Sequence, residues 1–181
     1  FDQDIRISRY QSEQQQGLFS QIHETASGGN TALYDAIAAC LSRLSGAQGR
    51  HAMVLFTDGD DTFSRIGQGE LLRLARSNAV TIYPILMTSE ARGKSAAKEA
   101  RLFLEQLAQA TGGRVLVPKG PGDLANVYKT ILEDLEGQYV IGYVSDNGVQ
   151  DGKFRKLKIE VQRKGLKVRH REGYYAPVAG R

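Results

Sequence analysis

Met53-Val54-Leu55-Phe56-Thr57-Asp58-Gly59-Asp60-Asp61 is an apolar run that ends abruptly in carboxylates. Apolar residues in series followed by Thr-Asp-Gly describe a strand buried on both faces, whose carboxyl end leaves the core carrying acidic side chains. In open α/β sheets that rim is where ligands bind. The stretch therefore predicts a polar or metal-binding site centred on Asp58, with its partners supplied from elsewhere in the chain.

Working outward, Leu33, Ile37, Cys40, Leu41 and Leu44 form one stripe of an amphipathic helix that starts at Asn30 or Thr31, either of which can cap it. On the other side, residues 70–77 form a helix with Leu71, Leu72, Leu74 and Ala75 inward. Val80-Thr81-Ile82-Tyr83-Pro84-Ile85-Leu86 is a second buried strand, in which Pro84 cannot donate to a ladder and predicts a bulge or an end. Residues 95–110 place Ala100, Phe103, Leu104 and Leu107 in helical register, and Gly112-Gly113 stops that helix. Val115-Leu116-Val117 reads as a third strand, and Leu124, Val127, Tyr128, Ile131, Leu132 and Leu135 mark a helix ending at Gly137. Helix and strand thus alternate from Asn30 to Gly137, the pattern of a mostly parallel, doubly wound α/β sheet with helices on both faces. Upstream, residues 4–10 alternate apolar and polar as an edge strand does, and residues 17–26 form a short helix stopped by Ser27-Gly28-Gly29.

Beyond Gly137 the period changes. Tyr139-Val140-Ile141-Gly142-Tyr143-Val144 is a strand, residues 145–153 are a turn-rich loop, and residues 154–162 alternate Leu157, Ile159 and Val161 against charged residues. Lys164-Gly165 reads as a hairpin turn into a last strand at residues 166–170. The chain therefore divides into an α/β domain over residues 1–137 and a small antiparallel β extension over residues 138–181.

Composition excludes several classes. With 181 residues, 41% hydrophobic and 24% charged, the chain can build a core without a disulfide or metal staple, and neither disorder nor membrane insertion is expected. No apolar run approaches transmembrane length, so no membrane span is expected. Phe1-Asp2-Gln3-Asp4-Ile5-Arg6-Ile7 lacks the basic start and apolar middle of a signal peptide. Cys40 is the single cysteine, which excludes an internal disulfide, and its place on the apolar side of a helix favours a buried structural thiol over a reactive one. The net charge of +4 is uneven: between Asp151 and Tyr174 nine basic residues face three acids, so that segment carries +6 and the remainder −2.

A hard divalent cation such as Mg²⁺ takes oxygen ligands and keeps several waters. Asp58 would supply charge, and Thr31, after the flexible Gly28-Gly29, would supply a hydroxyl beside the positive end of a helix dipole. The same residues read equally as caps, Thr31 of its helix and Asp58 of the turn that follows it. Spacing alone leaves both readings open.

Gly28-Gly29-Asn30-Thr31-Ala32-Leu33-Tyr34-Asp35-Ala36-Ile37, followed by Val54-Leu55-Phe56-Thr57-Asp58-Gly59-Asp60-Asp61, resembles the second half of a von Willebrand factor type A domain. Gln138-Tyr139-Val140-Ile141-Gly142-Tyr143 and Arg171-Glu172-Gly173-Tyr174-Tyr175-Ala176 resemble the extension on a bacterial subgroup, the acidobacterial type A-related proteins. The resemblance implies a doubly wound sheet with a metal-ion-dependent adhesion site on its rim. Thr31 and Asp58 match metal ligands of that site, with Gly29, Asn30, Gly59 and Asp60 as neighbouring binding residues, Mg²⁺ or Mn²⁺ as cofactor, and an exported or periplasmic location. The family's Asp-x-Ser-x-Ser motif, which supplies most of the metal's oxygens, occurs nowhere in this chain. The expected site is therefore partial, with weak or absent metal binding, and the sheet lacks its central strand. That gap is filled in a longer parent protein, by a homodimer or segment swap, or by the C-terminal strands.

The leading expectation is a protein-binding, adhesion-type module with an unidentified protein ligand. The alternative is polyanion or nucleic-acid binding through Lys156, Lys158, Lys167, Arg169 and Arg171, which alternate along the basic extension. A solvated strand face accounts for those residues as well, and the balance is against nucleic acid. No enzyme is expected: there is no Gly-x-Ser-x-Gly elbow or Walker loop, Gly67-Gln68-Gly69 follows a loop rather than a strand, and His23, His51 and His170 are scattered.

Overall fold

In a computed structural model the run around Met53 forms a strand, β1 (His51–Thr57), and the next apolar run forms β2 (Val80–Leu86). The structure describes residues 30–87, 94–163, 165, 166 and 168–179; the strand expected at residues 4–10, the helix expected at 17–26, Gly29 and Lys167 lie outside them. β1 and β2 pair in parallel, from His51 opposite Val80 to Thr57 opposite Leu86. Around them lie α1 (Leu33–Leu44), α2 (Gln68–Ser77), α3 (Lys94–Thr111) and α4 (Leu124–Glu136). The chain is thus a mixed α/β structure, and its crossover α2 joins parallel neighbours as a parallel sheet requires.

The two faces of the sheet are covered unequally. Leu33, Ile37 and Leu41 of α1, Leu71 and Ala75 of α2, and Phe103, Leu104 and Leu107 of α3 pack on one face with Leu55, Val80, Ile82 and Leu86. On the other face α4 brings Val127 and Ile131 against Tyr83 and Ile85 of β2. β2 is buried throughout except at Thr81, whereas β1 is buried at Leu55 and Thr57, with Val54 and Phe56 37% and 39% exposed. The expectation that β1 is buried on both faces is corrected by these exposures: among the described residues a single helix lies on that side, and it sits over β2.

Pro84 makes no bulge. It stands in regular register opposite Leu55, and the Thr57 carbonyl accepts from Met87 N–H at 2.9 Å, so the odd-numbered residues of β2 turn their backbone groups toward β1. The donor that proline lacks would point to the opposite edge. There the expected third strand shrinks to a single parallel bridge between Ile85 and Leu116, held by Leu116 N–H to the Pro84 carbonyl and Leu86 N–H to the Leu116 carbonyl, both 2.8 Å. The rest of that edge is closed by the end of α3. The Thr111 hydroxyl, buried, accepts from Ile82 N–H at 3.1 Å, and Gly112 turns the chain with φ +84°. Gly113 passes so close that a Cβ on it would lie 1.9 Å from the Ile82 carbonyl oxygen.

The extension departs further from expectation. β3 (Phe154–Lys156) pairs antiparallel with β4 (Gly173–Tyr175), not with residues 166–170. The choice follows from docking on α2. Arg76 binds Glu172 at 2.7 Å and lies over the Phe154 ring at 5.1 Å, Phe154 packs on Tyr175, and Gly173 lets the Arg155 carbonyl approach where a Cβ would sit 2.1 Å from it. Residues 139–144, expected as a strand, have no ladder partner among the described residues. Among the described residues, no helix is long and apolar enough to cross a membrane.

Candidate functional site

The start of α1 and the loop leaving β1 meet at one rim. Thr31 joins it through its backbone: its carbonyl accepts from Thr62 N–H (2.8 Å) and Phe63 N–H (3.0 Å), and its N–H donates to the Thr62 hydroxyl at 2.9 Å. Neither Asn30 nor Thr31 caps the helix. The N-cap is Ala32, whose side chain offers no oxygen. The first-turn donors are instead met from the loop, with Tyr34 N–H bonded to Asp61 Oδ1 at 3.1 Å and Asp35 N–H to the Ser64 hydroxyl at 3.0 Å, while Ser64 in turn donates to Asp61. A carboxylate there also opposes the positive end of the helix dipole. Asp35 returns the contact, its carboxylate accepting from Arg65 N–H (3.1 Å) and Ile66 N–H (3.2 Å) and so fixing the approach to α2.

Asp58 is exposed at the end of β1, and its Oδ1 accepts from Asp60 N–H at 3.1 Å. The buried Thr57 hydroxyl accepts from Gly59 N–H at 2.9 Å, which tightens the same turn. Gly59 has φ +87°, and a Cβ there would come 2.7 Å from Ala100 Cβ, so the turn is pressed onto α3 and requires glycine twice over. Thr31, tied to the loop through Thr62 and Phe63, and Asp58, at the start of that loop, therefore stand on the same rim. Their oxygens fit a hard divalent cation in kind but not in number, and among the described residues no three His, Cys, Asp or Glu side chains converge as a metal site. The residues that organise the rim, Asp61, Ser64 and Asp35, were not singled out from sequence as partners of α1. Their signal was an apolar N-cap on a helix whose nearest acidic run lay across a chain connection.

Of the alternating basic residues of the extension, those described, Lys156, Lys158, Arg169 and Arg171, do not gather into one stripe. Lys156 is exposed at the end of β3, and Lys158 pairs with Glu160. Arg169 pairs with Asp134 of α4, which also binds Arg114 at 2.9 Å. Arg171 donates to the Arg76 carbonyl at 2.7 Å, and burial draws its guanidinium below its ordinary pKa. Nearby, burial and then the charge of Asp134 raise the Tyr83 phenol above its usual range, with Gln138 Nε2 donating to its oxygen at 3.4 Å.

No protein-family model and no curated protein matches this chain. Among solved structures it is similar to the crystal structure of an uncharacterized membrane-spanning protein from Vibrio fischeri, with 19% identity over 67% of this chain and 66% of that one and a TM-score of 0.40. The chain thus spans just under two thirds of that protein's length, and a likeness this weak carries no argument.

Proposed function

We propose that the chain is a type A-like protein-binding module whose rim holds the smaller part of a metal-ion-dependent adhesion site, with Thr31 and Asp58 as its oxygen donors. The observation that supports this reading is the tie between the start of α1 and the loop after β1, which keeps a threonine and an aspartate on one rim at the carboxyl end of a parallel strand. Helices on both faces of that parallel pair support the finer architecture, a doubly wound, mostly parallel sheet. The cation would be Mg²⁺ or Mn²⁺, and its service would be to bridge the rim to an acidic group on a protein ligand. The reading is one of binding, without a catalytic step. The polyanion alternative gains no support, since Arg169 and Arg171 spend their guanidiniums on the body of the chain.

Calorimetric titration with Mn²⁺ tests the rim. Weak binding that disappears in Asp58→Ala is expected. Saturable binding that is equal in the wild type and in Asp58→Ala would remove Asp58 from the site, and tight binding abolished by that substitution would show the site to be complete without further donors.

A further inference from the structure

Alternation along β1 aims the backbone N–H and C=O groups of Ala52, Val54 and Phe56 away from β2, because Thr57 turns its own toward Met87. Among the described residues nothing pairs with that edge. The side chains of Val54 and Phe56 are exposed on the same strand, and the patch continues through the Phe56–Tyr128 ring contact at 6.0 Å onto Tyr128 and Leu132 of α4, both exposed. An open edge beside an apolar patch is a template for another strand.

The same chain carries a strand-forming run that has no ladder partner among the described residues. Residues 139–144 contain no charge and no proline, are rich in β-branched and aromatic side chains, and make no backbone hydrogen bond among the described residues. Their large apolar side chains are between 55% and 94% exposed. The run is comparable in length to β1, and neither partner has a charge to desolvate between Ala52 and Phe56 or within the run. In its own chain the run is anchored at Gln138 on Tyr83 of β2 and at Tyr143, whose ring meets Tyr174 of β4 at 6.1 Å, and neither anchor lies on the open edge of β1.

We infer that residues 139–144 of one copy add as a strand to the outer edge of β1 in a second copy. Donor and acceptor belong to the same chain, so two copies about a two-fold axis satisfy both edges at once and close the assembly. Backbone bonds to Ala52, Val54 and Phe56 set the register, and the Val54, Phe56, Tyr128 and Leu132 patch takes the side chains on one face of the added strand. This contact runs along β1 rather than across its carboxyl end, so it does not depend on the cation rim.

Light scattering on the full chain, across a wide range of concentration and in the presence of a chelator, tests the inference. The expected mass is twice the chain mass of 19.9 kDa, unchanged by Asp58→Ala and reduced to a single chain mass by Ile141→Pro. Ile141 is exposed and makes no backbone hydrogen bond among the described residues, so far-UV circular dichroism of that variant is expected to match the wild type. Val54→Lys attacks the acceptor independently and is expected to give the same monomer. A wild type that stays monomeric, a dimer that survives both substitutions, or a mass that climbs without a plateau overturns the inference. So does a monomer whose Ala52, Val54 and Phe56 amides resist hydrogen exchange, because residues 1–29 or the chain's own run would then occupy the edge.

Discussion

β1 and β2 are paired residue for residue and are equally apolar to the eye, yet they occupy different environments. β2 has helices over both faces, β1 along one edge, and the end of α3, Gly113 and Leu116 along the other. β1 has the three-helix layer on one face, a half-covered patch on the other, and an edge that nothing among the described residues pairs. An uninterrupted apolar run therefore states that a strand can be buried on both sides, not that it is. In β1 the surplus hydrophobicity is left for a partner, which is the basis of the strand addition inferred above.

The largest effect on this contrast is expected from Gly113→Ala. The new methyl would press on the Ile82 backbone and force the end of α3 off the second edge of β2, for a loss of about 3 kcal/mol in urea denaturation. A small loss would mean that this edge is not held by close approach. The contrast is sharpened by one substitution made twice. Val80→Ala, in the buried β2, is expected to cost about 2 kcal/mol from lost transfer energy and residual cavity, whereas Val54→Ala in β1 should stay within about 0.5 kcal/mol under dilute, monomeric conditions. Equal costs would show that β1 is as enclosed as β2. A further test concerns the helix-covered face of β1. Asp61→Ala removes the loop carboxylate that serves the first turn of α1 and is expected to lower stability by about 1 kcal/mol, comparable to the loss of a helix cap, with the secondary structure intact by circular dichroism.

The pattern of the chain carried the body well. α1, β1, α2, β2, α3 and α4 lie where periodicity places them, since each is long enough for its apolar spacing to exceed what local noise can imitate. Pro84 was legible as a position without a donor, but whether it bent the strand or merely shortened its neighbour depended on which edge the missing donor faced. The extension was less legible. Alternation over residues 154–162 and 166–170 is as clear as in any hairpin, yet the ladder forms between Phe154–Lys156 and Gly173–Tyr175. A salt bridge, a cation–ring contact and a glycine set that register against α2, and none of them shows in a period of two. At the rim the acidic run after Phe56 announced a polar site, but the roles within it were divided by contacts across the chain. Asp61 and Ser64 went to the helix start, Asp35 to the approach to α2, and Asp58 stayed at the exposed turn.

By itself the sequence determined the alternation of helix and strand, the acidic end of β1 and the basic bias of the last segment, because period and charge are properties of neighbouring residues. Tertiary structure alone decided that β2 is sealed on every side while β1 is not, and that residues 139–144 find no ladder among the described residues of their own chain. Burial and pairing are properties of what packs against a strand, and a run of apolar residues records only its readiness to be covered.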